Sequence, residues 1–268
     1  MDSVKTLPIR RVTKEGKKVT DDMITKELPL TIILNNQELV TLLCSPTELK
    51  YLAIGFLTSE GFLKSKDEIK KIIVDDQRGV ARVDTEQIKE LASELMFKRL
   101  IPSGCGRGAS FYSVADAQDQ AKVESKIGIS AIEVFALVKE FQHHSQIYRA
   151  TGGVHSAALC NTSSILIFAE DIGRHNAIDK IFGRCLLEDI PTEGHLIITS
   201  GRITSEILLK IAKRGVPVII SKSAPTDLGV KLANDLGITL IGFVRGKRMN
   251  AYTNDWRIVT DERMGASS

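Results

Sequence analysis

Between Ser164 and Val244 the chain keeps one rhythm. Apolar runs of about six residues, SILIFA (164–169), HLIITS (195–200), VPVIIS (216–221) and ITLIGFV (238–244), alternate with amphipathic stretches. Those stretches, RHNAIDKIFGRCLL, TSEILLKIAKRG and TDLGVKLANDLG, carry their apolar residues at helical spacing. Fully apolar strands separated by helices predict a mostly parallel sheet covered on both faces. A helix, AIEVFALVKEFQHHSQIY (131–148), precedes them and runs into TGG and VHSAAL. Residues 130–268 therefore read as an α/β sandwich domain.

The first half has a different pattern. LTIILNNQELVTLLC (30–44) reads as two strands turned at Asn35-Asn36, and IKKIIVDDQRGVARVD (69–84) as a second hairpin. Between them, SPTELKYLAIGFLTSEGFL predicts a helix with Ser45 as N-cap, Pro46 at the first helical position and Glu48 closing a capping box. A second helix, TEQIKELASELMFKRL (85–100), leads into IPSGCGRGASFY. The whole is a smaller α+β domain over 27–112. The charged residues 1–26 read as a loosely held segment and the polar residues 113–129 as a linker.

Composition narrows the function classes. The chain has 268 residues and is 43% hydrophobic, enough for a sizeable core. With 36 basic and 33 acidic residues its net charge is +3, too balanced for a general nucleic-acid binder. No apolar run reaches the roughly 20 residues of a membrane helix, and the N-terminus lacks a signal-peptide core, so a cytoplasmic protein is expected. The four cysteines, Cys44, Cys105, Cys160 and Cys185, are scattered without a CxxC or CxH pairing. Free thiols and no zinc or other metal site are the expectation.

Candidate chemistry gathers at the predicted carboxyl ends of the strands, where open α/β sheets bind ligands. Those ends carry Asp171, Arg174 and His175; Ser200 and Arg202; Lys222 and Ser223; and Phe243, Val244, Arg245, Gly246, Lys247 and Arg248. Cations beside helix N-termini form a phosphate or pyrophosphate cradle. His155 and His175 near Asp171 are candidates for proton handling. Cys44, Cys160 and Cys185 adjoin apolar runs and read as core. Cys105 sits among Gly104, Gly106 and Gly108 with Arg107 two positions on, a setting that suits an exposed, activated thiol.

These motifs resemble the FdhD family of sulfurtransferases needed for active formate dehydrogenase. ELKYLAIGFLTSEGFL, TGGVHSAAL, EDIGRHNAIDK, the long run from TSGRITSEILLK to FVRGKRMNAYT, and the cysteine-glycine loop occur in the family's order along nearly the whole chain. The resemblance implies a cytidine deaminase-like fold for the second domain. It implies a persulfide on Cys105, loaded by a cysteine desulfurase and passed to the molybdenum bis-guanine dinucleotide cofactor carried as cargo to formate dehydrogenase. It places cofactor binding at Phe243–Arg248, leaves His155, Asp171, Arg174, His175, Ser200, Arg202, Lys222 and Ser223 as supporting residues, and suits a homodimer.

Two features separate this chain from close patterns. A zinc deaminase needs H-x-E and P-C-x-x-C, and neither is present. Many family members carry CGxCG, whereas here the run is CGRGA, so Gly108 stands where the second cysteine would be. Two rival readings stay open: a non-catalytic cofactor-binding chaperone for formate dehydrogenase, and a cysteine hydrolase built from Cys105, His155 and Asp171.

Overall fold

The computed structural model describes residues 3–86 and 122–259. Residues 87–121, which include Cys105 and nearly all of the helix expected over 85–100, lie outside the described residues.

The N-terminal stretch departs from expectation. Instead of a loose segment, β1 (Val4–Thr13) and β2 (Gly16–Thr25) form an antiparallel ribbon. Its β-branched residues alternate with charges, a pattern that favours strands even where burial is slight. Lys26 N–H donates to the Ser3 carbonyl at 2.8 Å, and Thr25 Oγ1 donates to Thr151 Oγ1 at 2.9 Å, anchoring the ribbon's base.

The next unit is a four-stranded sheet of β3 (Leu28–Leu34), β4 (Gln37–Cys44), β5 (Ile69–Asp75) and β6 (Val80–Thr85), ordered β4-β3-β6-β5. Asn35 and Asn36 both take positive φ, as a tight hairpin turn requires. Leu30, Ile32, Val40, Leu42, Ala81 and Val83 face α1 (Leu49–Ser59) and form one core.

The predicted capping box does not form. Helix α1 starts at Leu49, three residues past Pro46, the expected first helical position, after Glu48 in the left-handed region. Ser45 is engaged elsewhere: its N–H donates to Asp171 Oδ2 at 3.0 Å, and its Oγ accepts from Ile172 N–H at 3.2 Å. Buried bonds to a distant strand have displaced a local cap.

The second unit is built on a six-stranded sheet ordered β13-β12-β11-β10-β8-β9. Its strands are β8 (His155–Cys160), β9 (Ile165–Asp171), β10 (Leu196–Thr199), β11 (Val218–Ser221), β12 (Thr239–Arg245) and β13 (Arg248–Thr253). The sheet is mixed rather than mostly parallel: only β10–β11 and β11–β12 are parallel neighbours. Hairpins β8–β9 and β12–β13 supply the antiparallel pairs at its two edges.

Helices α4 (Arg174–Leu187), α5 (Ser205–Lys213) and α6 (Asp227–Asp235) cover one face. Helix α2 (Ala131–His144) covers the other, so the expected sandwich is present. The long helix read over 131–148 is broken at Ser145, whose Oγ caps back onto Phe141 and meets Ser156 Oγ at 3.0 Å; a short α3 (Gln146–Thr151) follows. Two-residue strands β7 (Ile129–Ser130) and β14 (Ile258–Val259) pair in parallel beside the sandwich. No helix among the described residues is long and apolar enough to cross a membrane.

The two units meet where α1 crosses α4. A Cβ at Gly183 would lie 1.9 Å from the Tyr51 carbonyl oxygen, and one at Gly55 would lie 1.7 Å from that of Asp179. Only glycine lets the backbones touch. Beside the crossing, buried Asp179 accepts from Ser59 Oγ at 2.6 Å and from Lys210 Nζ at 2.6 and 2.8 Å. Glu60 Oε1 stands 3.7 Å from the same ammonium, and burial raises its carboxyl above the usual range. Gly183→Ala must push the helices apart and should cost about 1–3 kcal/mol. Urea unfolding checks this, with the exposed Lys231→Ala on α6 expected to stay within about 0.5 kcal/mol of the parent chain.

Candidate functional site

Strand directions decide which residues share a rim. β9 is antiparallel to β8, and β8 to β10, so β9, β10, β11 and β12 all run the same way. Their carboxyl ends, together with the start of β8 at His155, lie along one edge of the sheet. Asp171, Ser200, Arg202, Lys222, Ser223 and Arg245 therefore share an edge, although they are spread over more than 70 positions of sequence.

The loops on this edge are tied to one another. Ser200 N–H donates to the Ser156 carbonyl at 3.0 Å, and Ser221 Oγ donates to the Gly201 carbonyl at 2.7 Å. Ser223 N–H donates to Ser221 Oγ at 2.9 Å, while Phe243 N–H donates to the Ser223 carbonyl at 3.2 Å. Such bonds hold the cationic side chains on a preformed frame.

At the β12–β13 end, the stretch read as a loop is a bulged hairpin. Phe243 and Val244 belong to β12, the register shifts between Gly242 and Arg245, and Phe243 and Gly246 adopt positive φ. The bulge turns the Phe243 ring beneath the Arg245 guanidinium, 5.6 Å from its centroid. Arg245, Lys247 and Arg248 are exposed. Lys222 is half-buried beside them, and burial together with Arg245 lowers its proton affinity. Like charges held together in this way favour an anion between them.

At the β8–β10 end, Ser200 Oγ accepts from Ser156 N–H at 3.0 Å and lies 3.3 Å from His155 Nδ1. Burial, then Arg174, then Arg202 lower the His155 pKa, with Asp171 opposing them. His175 is held lower still, at about 3, by burial, Lys210, Arg174 and His155. Its contact with Glu206, 3.4 Å from Nε2, is therefore between a neutral imidazole and a carboxylate.

Asp171 lies on the edge but is already filled. Its oxygens accept from Ser45 N–H at 3.0 Å, Gly173 N–H at 2.9 Å and Asn176 Nδ2 at 2.8 Å, and Lys180 Nζ sits at 2.8 Å. Both members of the ion pair are fully buried. Asn176 Nδ2 also donates to the Leu43 carbonyl at 2.9 Å, so the cluster joins the two units. This carboxylate is a joint, and no hydrogen bond links it to either histidine among the described contacts.

Sequence reading gave no pairing role to Asn176 or Lys180. With Asp179 they form a polar stripe on a helix that is otherwise apolar at its buried positions, a legible signal of internal pairing. Nor did sequence reading foresee the role of Glu170, which accepts from the N–H groups of Ile147 and Tyr148, both at 3.2 Å, and so caps α3.

The thiols divide cleanly. Cys44, Cys160 and Cys185 are buried, and burial pushes them to about 12, 12 and 11 respectively. Cys105 lies outside the described residues. Among the described residues no group of three or more His, Cys, Asp or Glu is placed to hold a metal ion.

Comparison with known proteins places this architecture. A crystal structure from Desulfotalea psychrophila, described as a candidate formate dehydrogenase accessory protein, superposes with a TM-score of 0.79 at 27% identity, covering 96% of this chain and 99% of that one. The "Sulfur carrier protein FdhD" of Bacillus pumilus (strain SAFR-032) is 46% identical over 257 residues, 96% of this chain and 98% of its own. That of Bacillus subtilis (strain 168) is 47% identical over 244 residues, 91% of this chain and 93% of its own. The FdhD/NarQ family model matches residues 25–259, almost the whole described fold, and the chain belongs to the FdhD/NarQ family.

Proposed function

We propose that this chain is a sulfur carrier that takes sulfane sulfur from a cysteine desulfurase onto Cys105. It hands the sulfur to the molybdenum bis-guanine dinucleotide cofactor bound as cargo for formate dehydrogenase. The observation that carries this reading is the fate of the other three thiols. Sulfur exchange is an attack by a thiolate on a disulfide-type sulfur, so the accepting cysteine must be both deprotonated and reachable. Cys44, Cys160 and Cys185 are neither: each is at most 2% exposed, and burial holds each in the thiol form near neutral pH.

That leaves Cys105, with glycines on both sides and Arg107 nearby, as the residue suited to the task. In the loading step its thiolate attacks the outer sulfur of the donor persulfide. The donor's S–S bond breaks, the donor cysteine leaves as a thiolate, and a new S–S bond stands on Cys105. With Gly108 in place of a second cysteine, the carrier works without a thiol relay inside its loop. The rim supports the other half of the reading. Lys222, Arg245, Lys247 and Arg248 offer charge to phosphates, and the Phe243 ring under Arg245 offers an aromatic face to a purine.

Two outcomes follow. Cys105→Ser should fold and bind guanosine diphosphate as the parent does, yet fail to activate formate dehydrogenase in a reconstituted maturation assay. Full activation by that variant would leave the non-catalytic chaperone reading in its place. Arg245→Gln with Lys247→Gln should weaken guanosine diphosphate binding roughly tenfold, equivalent to about 1.4 kcal/mol. Titration calorimetry at two salt concentrations should find a shallower salt dependence in that variant.

A further inference from the structure

The outer half of the β1–β2 ribbon is exposed on both faces. Its last four cross-strand pairs, Arg10–Val19 to Thr13–Gly16, and the turn between them face solvent throughout, about 13 Å of ribbon beyond the packed base. A two-stranded ribbon is marginal in water unless one face is covered. The family match begins at Thr25, the last residue of β2, so the ribbon is an addition to the fold that carries the rim.

The ribbon is rooted beside that rim. Thr25 Oγ1 donates to Thr151 Oγ1 at 2.9 Å, and a Cβ at Gly153 would lie 2.5 Å from the same Thr25 oxygen. Gly153 stands two residues before His155, where β8 begins at the candidate edge. With Lys26 N–H bound to the Ser3 carbonyl at 2.8 Å, both strands are tied at the base. The ribbon is an arm that leaves from the edge of the site.

The arm also holds the charge surplus of the chain. Residues 10–19, RRVTKEGKKV, have five basic residues and one acidic, whereas the other 258 residues have 31 basic and 32 acidic. On one face Arg11 stands opposite Lys18, a like-charge pair that costs stability. Asp22 offsets Arg11 at 3.7 Å, but Arg10, Lys14, Lys17 and Lys18 have no ion-pair partner among the described residues. On the other face Arg10 stands opposite Val19 and Val12 opposite Lys17, with Val12 64% and Val19 70% exposed. Apolar residues framed by cations suit an acidic protein face, where they supply the dry centre of a contact. A phosphate backbone has no use for the valines, and residues 3–25 hold no aromatic anchor for a lipid interface. A second copy would set like charge against like charge arm to arm, or the arm against a body close to neutral.

We propose that the β1–β2 arm docks an acidic face of the sulfur-donating desulfurase, held by Arg10, Lys14, Lys17 and Lys18 around Val12 and Val19. The inference rests on the carrier reading. Donor and carrier cysteines must meet for sulfur to pass, so this partner needs a contact that orients it toward the edge. Charge on a projecting arm both steers and speeds that encounter.

Biolayer interferometry between the full chain and the desulfurase that loads it, at low and high salt, tests the arm. Arg10→Gln, Lys14→Gln, Lys17→Gln and Lys18→Gln together should weaken docking roughly tenfold at low salt and flatten its salt dependence. Val12→Thr with Val19→Thr keeps β-branched strand formers; it should weaken docking roughly threefold with the parent's salt dependence. Both variants should keep the parent's guanosine diphosphate binding and load Cys105 fully at saturating desulfurase. Parent-like docking by both variants overturns the arm, and the carrier reading stands while Cys105 is still loaded. Self-association of the parent that the variants lose, or tighter binding to duplex DNA or phosphatidylserine vesicles than to the desulfurase, overturns it in favour of that occupant. No loading of the parent by a desulfurase overturns the carrier reading and the arm with it.

Discussion

The architecture depends on the contact between α1 and α4. Gly55 and Gly183 allow two helices from different units to approach until backbone meets backbone, a distance no side chain tolerates. Once the axes are that close, polar groups beside the crossing are sealed from water and must find partners in each other. Asp179, Lys210 and Ser59 do so on one side; Asp171, Lys180, Asn176 and Ser45 do so on the other. Buried ion pairs of this kind add little net stability but penalise any other arrangement strongly. The joint therefore fixes how the first unit meets the sheet edge.

That edge owes its character to strand direction. Four strands ending together bring cations from distant parts of the sequence into one row, and the hairpin at each side closes the row. Burial first, and neighbouring cations second, lower the proton affinities of His155, His175 and Lys222. A surface arranged in this way is poised for a multiply charged anion, while the buried cysteines contribute nothing to its chemistry.

Much of this was legible in the sequence, and the exceptions have physical reasons. The apolar runs at 195–200, 216–221 and 238–244 announce buried strands because no polar residue interrupts them. Their direction relative to β8 and β13 is not written in those runs, since a hairpin and a crossover bury the same side chains. Asn161 holds the β8–β9 turn by accepting from the N–H groups of Ser163 and Ser164 at 2.8 and 2.7 Å, and the NTSS stretch was a usable signal for it. Ser45 carried a strong local cap motif that lost to buried bonds with residues about 126 positions away, which no local pattern encodes. Asp171 looked free to orient a histidine because sequence does not reveal how many donors surround a carboxylate. The strand ends named from the sequence do share one sheet edge, although Phe243–Arg248 is a bulged hairpin and not a loop. The segment bearing Cys105 was read from its glycines alone.

The central claim is that sulfur travels on Cys105, and mass spectrometry of the intact chain tests it most directly. After incubation with a cysteine desulfurase and free cysteine, the parent chain should gain the mass of one sulfur atom, removable by a thiol reductant, and Cys105→Ser should gain none. Sulfur retained by that variant, or mapped by peptide analysis to Cys44, Cys160 or Cys185, would contradict the account.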